Sequence, residues 1–151
     1  MCDAADILLT LQSDSEAATW YQRARDVGAS HGFFSLESMA CVGLGMAAMN
    51  EGRHEEGVAL LRNALVAAEL NELDDPAFEL KALKSLIDAL LKINSFDEVE
   101  PLVLRFREAA KAQSEKEGVC FAEFKSLFFS AQLHEVLCLR TPRREPHTTA
   151  Q

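Results

Sequence analysis

Apolar residues along this chain recur mostly at every third or fourth position, which is the spacing of one face of an α-helix. Strict alternation of apolar and polar residues, the pattern of a half-buried strand, is almost absent. We therefore predict an all-α fold. Seven helical stretches are expected, at about residues 3–11, 14–30, 36–50, 54–73, 76–93, 95–114 and 117–139.

Residues that start and stop helices lie between these stretches. Ser13–Glu16 has a Ser and a Glu three residues apart, an arrangement in which each side chain satisfies a free backbone amide of the other residue. Ser95 and Glu98 repeat it, and Pro76 fits the first position of a helix, where its missing N–H costs no hydrogen bond. Gly32 is expected to end the second helix in a left-handed turn. Such short turns make consecutive helices antiparallel neighbours.

Two long segments of the chain repeat each other. The segment LGMAAMNEGRHEEGVALLRNAL, from Leu44, aligns with LIDALLKINSFDEVEPLVLRFR, from Leu86, at an offset of 42 residues. In this alignment Gly52, at a turn, falls on Asn94. A shorter copy from Ser13 aligns with the first segment at an offset of 40 residues. A repeat of this length built from two helices is typical of a solenoid, in which stacked helix pairs bury a continuous core.

The first copy resembles the tetratricopeptide repeat (TPR) family, in a variant with longer helices. Leu44–Gly45 looks like the family's Leu-Gly pair, Gly52 stands at the turn, and His54–Gly57 occupies the place of its aromatic-Glu-Glu-Ala motif. The resemblance covers about residues 13–139 and implies a right-handed superhelical stack of antiparallel helix pairs. The second copy carries larger residues at three small positions: Ile87, Val99 and Phe106.

The resemblance also implies a function. In this family the first helix of each pair lines a concave groove that holds a peptide or helix of a partner, so the expected role is a non-catalytic scaffold for protein-protein interaction. Carried over to this chain, the groove would be lined by Met39, Val42, Met46 and Met49 of the third helix and by Lys81, Lys84, Asp88 and Lys92 of the fifth. Methionine adapts to varied apolar side chains, and lysines attract acidic segments. A methionine stripe at helical spacing is more often part of a helix core, and lysines on a helix face are usually solvated.

The last predicted helix offers an alternative surface. No further helix is predicted to cover Phe129, Leu133 and Leu137, and an exposed apolar patch of this kind marks an interface. The alternative hypothesis is a subunit, or truncated paralogue, of a larger helical assembly that docks and self-associates through this helix. Residues 1–139 form the predicted repeat domain, and residues 140–151 form a disordered basic and polar tail.

Charge and hydropathy narrow the classes of partner. The 15 Lys and Arg residues against 24 Asp and Glu residues give a formal charge of −9, which disfavours nucleic-acid binding. The apolar run at the N-terminus, Ile7–Leu11, is too short to span a bilayer and follows acidic residues, so neither a membrane span nor a signal peptide is expected. A protein or peptide remains the expected partner.

Candidate chemistry for catalysis is sparse. The cysteines, Cys2, Cys41, Cys120 and Cys138, have no pair at the spacing of a metal or redox motif, which favours a reducing, cytoplasmic location. The segment HEVLC, from His134, lacks the second His of a zinc-protease helix. The glycines of GLGMAAMNEG lie within a predicted helix and not after a strand, which excludes a nucleotide loop. We expect no enzyme activity, metal or cofactor.

Overall fold

The computed structural model describes residues 14–71 and 76–117, and this part of the chain consists of five α-helices with no strand. The predicted all-α class is therefore confirmed for the described residues. The helices are α1 (Asp14–His31), α2 (Phe34–Asn50), α3 (His54–Glu69), α4 (Pro76–Lys92) and α5 (Phe96–Glu117).

These five helices correspond to the second to sixth of the seven predicted ones. The stretch 3–11, the last helix from residue 118 onward and the tail at 140–151 lie outside the described residues. The prediction for α3 was too long, because this helix ends at Glu69 and not near Leu73. Its end tightens: Asn71 donates its backbone N–H to the carbonyl of Ala68, only three residues back, at 3.3 Å.

Three of the turns between helices share one backbone geometry. Each contains a residue with a left-handed backbone, at φ 69°, 81° and 60° for Gly32, Gly52 and Asn94. In each turn the residue that follows donates its N–H to a carbonyl five residues back, at 2.9 Å: Phe33 to Gly28, Arg53 to Ala48 and Ser95 to Leu90. This is the hydrogen bond of a Schellman cap, which satisfies the last carbonyls of one helix just before the next helix begins.

The repeat seen in the sequence is also present in the helix boundaries. Helices α2 and α4 begin at residues 34 and 76 and end at residues 50 and 92, so both ends are 42 residues apart. Helices α3 and α5 begin at residues 54 and 96, again at the same offset. Asn94 thus stands at the turn position of Gly52 and adopts the same left-handed backbone, which Asn tolerates better than most residues.

Each helix packs against the next one along the chain, and α2 also packs directly against α4. Helix α2 therefore contacts three helices, and ten of its 17 residues are buried, so it has no single apolar face. The backbones of α3 and α5 do not approach each other, but long side chains bridge the two helices: Arg62 pairs with Glu98, and Arg105 pairs with Glu69 at 2.6 Å. The backbones of α2 and α4 therefore approach each other more closely than those of α3 and α5 do.

Small residues set how closely α2 approaches its neighbours. A Cβ atom added at Gly45 would lie 2.7 Å from Cγ of Leu61, and one added at Gly57 would lie 2.7 Å from Cγ of Met49. On the other side of α2, a Cβ atom at Gly43 would overlap the ring of Tyr21 in α1. The glycines that resemble a nucleotide loop in sequence are thus contact points between helices.

The second copy of the repeat fills its core with larger side chains. Ile87, Val99 and Phe106 are all buried in the main hydrophobic cluster, which joins residues of α2, α3, α4 and α5. A smaller cluster between α1 and α2 is centred on Tyr21. The two copies therefore share three of their four helix boundaries but differ in the volume of the residues between their paired helices.

Candidate protein-binding groove

A cavity of about 410 Å³ opens between α2 and α4, where the two helices lie side by side. Its lining comes from the C-terminal half of α2, from one residue of α3 and from a single stripe of α4. The lining residues are Met46, Met49, Asn50, Leu61, Lys81, Lys84, Ser85, Asp88, Ala89 and Lys92. We call this site the α2/α4 groove.

The apolar part of the groove is formed by two methionines with different accessibility. Met46 is 44% exposed, whereas Met49 is only 5% exposed because its side chain packs over Gly57 of α3. The flexible, polarizable thioether of Met46 is therefore available to an incoming apolar side chain, while Met49 forms part of the wall. The groove therefore contains one methionine side chain that can adapt to a partner, Met46, and one that is held by packing, Met49.

The charged part of the groove lies along α4. The ammonium of Lys84 donates to the carboxylate of Asp88 at 2.9 Å, and both side chains are about half exposed. Lys92 reaches across the groove, and its Nζ donates to the backbone carbonyl of Met49 at 3.4 Å, near the C-terminus of α2. With Lys81, the lining holds three lysines and one aspartate, a formal charge of +2 in a chain of −9.

The groove contains six of the eight residues expected there from the sequence, and it excludes two. Val42 is 2% exposed and belongs to the main core cluster. Met39 is partly buried and packs against the cluster around Tyr21. Both lie in the N-terminal half of α2, whereas the α2 residues that line the groove all lie in its C-terminal half.

Four lining residues were not predicted from the sequence: Asn50, Leu61, Ser85 and Ala89. Ser85 and Ala89 lie on the same stripe of α4 as the predicted lysines, and their small side chains leave the space that forms the cavity. The sequence indicates this space, because it has small residues four positions apart on the stripe, Ser85 and Ala89. Leu61 gave no such signal, because it looks like any buried leucine of a helix.

The alternative surface predicted at Phe129, Leu133 and Leu137 lies outside the described residues.

A second cavity among the described residues, of about 470 Å³, lies between α3 and α5 over Leu86 and Leu90 of α4. An ion pair between Arg62 and Glu98 bridges its two walls. Hydrogen bonds from the Ser95 hydroxyl and from Arg62 lower the pKa of Glu98 and keep this carboxylate charged.

A third cavity, of about 310 Å³, contains Cys41, which is buried and forms no disulfide. Burial raises the pKa of the Cys41 thiol, although nearby Arg25 opposes the shift. The thiol therefore stays protonated near neutral pH and is a weak nucleophile.

No three His, Cys, Asp or Glu side chains in residues 14–71 and 76–117 are grouped closely enough to hold a metal ion. In the same residues, none of the helices has an apolar stretch long enough to cross a bilayer.

Comparison of the chain with protein-family models, with curated proteins and with solved structures finds no match. The geometry of the α2/α4 groove is therefore the basis on which a function is proposed.

Proposed function

We propose that this chain is a non-catalytic scaffold of the TPR type that binds a protein partner by holding a peptide or helix in the α2/α4 groove. In this proposal α2 with α3 and α4 with α5 are two successive helix pairs of a right-handed superhelical stack. Their first helices, α2 and α4, line the concave side.

The pattern of helix contacts supports a stack of pairs. The backbones of α2 and α4 pack directly against each other, whereas those of α3 and α5 lie farther apart in the described residues and are bridged by long side chains. First helices that lie close together and second helices that lie apart produce a curved array with an inner and an outer surface. The offset of 42 residues, shared by the starts of both helices of each pair and by the ends of α2 and α4, supports the same arrangement.

The observation that carries the proposal is the lining of a single cavity by six residues expected there from the family resemblance alone. The cavity has the size of a site for a few side chains of a partner. Its accessible methionine and its lysines provide apolar and charged contacts beside each other, as recognition of a protein segment requires.

The proposal is tested by Met46→Glu. A carboxylate at this half-exposed position puts a charge where a partner's apolar side chain would pack, so we expect more than tenfold loss of partner capture. Because Met46 is not part of the core, the melting temperature should change by less than about 3 °C. Capture from a lysate of the source cells, quantified by mass spectrometry, measures the loss, and calorimetry measures the melting temperature.

Val66→Glu is the matched control. Val66 is a comparably exposed apolar residue, but it lies on α3 and lines the other two cavities instead of the α2/α4 groove. A protein that is captured by the wild type and by Val66→Glu, but not by Met46→Glu, supports the groove. If captured proteins are lost with Val66→Glu and retained with Met46→Glu, the binding surface lies elsewhere and the proposal fails.

A further inference from the structure

We propose that the partner segment held by the α2/α4 groove is an acidic amphipathic helix, and that Asp88 competes with this helix for Lys84. The inference rests on the binding role proposed above. It adds the chemical class of the segment and a feature of the groove that limits its affinity.

Charge favours an acidic segment. The groove lining has a formal charge of +2, from Lys81, Lys84 and Lys92 against Asp88, while the chain as a whole has −9. An acidic partner is repelled by most of the surface and attracted here, which selects both its position and its orientation. A basic segment would be attracted by the acidic residues elsewhere on the surface and repelled by the lysines of the groove.

The spacing of the lysines favours a helix. Lys81 and Lys92 are 11 residues apart on α4, which corresponds to about 16 Å along the helix axis. Two carboxylates 11 residues apart on a partner helix beside α4 have the same separation and the same face, because 11 residues complete about three turns. In an extended segment the same distance corresponds to about five steps along the chain, so the two side chains are five positions apart and point to opposite sides.

The walls of the groove also suit a helix. Helices α2 and α4 lie side by side, and an amphipathic helix docks in a groove of this kind through its apolar face. Met46 stands on the α2 side and the lysines on the α4 side. A helix with leucines facing α2 and glutamates facing α4 would match both walls.

Asp88 lowers the affinity of the groove for an acidic helix. It lies between Lys84 and Lys92 on the stripe and holds the Lys84 ammonium at 2.9 Å. Exposed pairs four residues apart on a helix contribute little to stability, so a partner carboxylate can displace Asp88 from Lys84. The aspartate then stays in the groove as a like charge beside the partner's glutamates. Removing its charge relieves both the competition and the repulsion.

The test measures binding of a fluorescein-labelled synthetic helix of about 20 residues, with Glu on one face and Leu on the other, by fluorescence anisotropy. We expect Asp88→Asn to bind about three to ten times more tightly than the wild type, and Lys84→Gln to bind more weakly by a similar factor. Glu100→Gln is the charge-matched control, since Glu100 is exposed on α5 and does not line the groove. It should change binding by less than about 1.5-fold.

The proposal is overturned if Asp88→Asn binds no more tightly than the wild type, or if no variant binds the acidic helix. It is also overturned if a peptide with Gln in place of every Glu binds equally well, or if an acidic peptide broken by proline binds better than the helix. If any of these results is found while Met46→Glu still abolishes capture of a protein, the groove binds a segment of another chemical class. An effect of Asp88→Asn on the acidic helix without any such loss of capture would mean that the groove has the predicted chemistry but is not the site of the captured protein, so the proposed binding role would fail.

Discussion

At the scale of single residues, small side chains determine how closely the helices pack. Gly43 lies against the ring of Tyr21, and Gly45 and Gly57 allow α2 and α3 to approach closely. Ser38 is the polar counterpart of these contacts. It is buried in α2, and its hydroxyl donates to the backbone carbonyl of Ala64 in α3 at 2.8 Å. A helix carbonyl in the core thus receives a second hydrogen bond from the neighbouring helix.

We expect Ser38→Ala to lower the free energy of unfolding by about 1 kcal/mol, because a buried hydrogen bond between two helices is lost. Urea denaturation followed by circular dichroism measures the change through the shift of the midpoint.

Ser85→Ala is the control for that substitution. The hydroxyl of Ser85 donates to the carbonyl of Lys81 within α4, on the exposed side of the helix. Its removal should change the free energy of unfolding by less than about 0.5 kcal/mol. Equal effects of the two substitutions would mean that the bond from Ser38 does not join α2 to α3.

At the scale of elements, the helices and turns repeat more faithfully than the core residues do. The turns after α2 and α4 both close with a left-handed residue and a hydrogen bond to a carbonyl five residues back. Glycine fills this position at Gly52 and asparagine fills it at Asn94. The conserved feature of the repeat is therefore the backbone conformation of the turn, and two residue types satisfy it.

Replacement of either turn residue by alanine tests this equivalence. Alanine has a Cβ atom, which makes the left-handed backbone sterically unfavourable. Gly52→Ala should therefore lower the free energy of unfolding by about 1 kcal/mol. Asn94→Ala should cost about half as much, because Asn already bears part of that strain. Asn94→Gly should be close to neutral in the same denaturation assay. If Asn94→Ala left stability unchanged, the turn after α4 would not need its left-handed residue.

Most of the helical architecture of the described residues could be predicted from the sequence, because helix periodicity and turn residues are local signals. The start of α4 at Pro76 and the turn at Gly32 follow from single residues. The end of α3 could not be predicted, since its apolar pattern continues past Glu69 while the helix does not. The burial of Val42 was missed for another reason. Which side of α2 faces solvent depends on three neighbouring helices, and none of them is local to that residue.

At the scale of the whole molecule, the contacts of α2 explain why the groove is where it is. This helix packs against α1, α3 and α4, and the α2 residues that line the cavity lie in its C-terminal half, where Met46 stays accessible. Outside the groove, the molecule is predominantly acidic. A partly apolar groove lined by three lysines and one aspartate, in a chain with a net charge of −9, is suited to the acidic helix proposed above.

The groove's role can be measured most directly by NMR of protein labelled with carbon-13 at the methionine methyl groups. The chain has four methionines, so the spectrum is simple, and Met→Leu substitutions assign it. On titration with the acidic amphipathic helix, we predict the largest shift at Met46, a smaller one at Met49 and none at Met39, which lies outside the groove. A shift at Met39 alone, or no shift at either groove methionine, would contradict it.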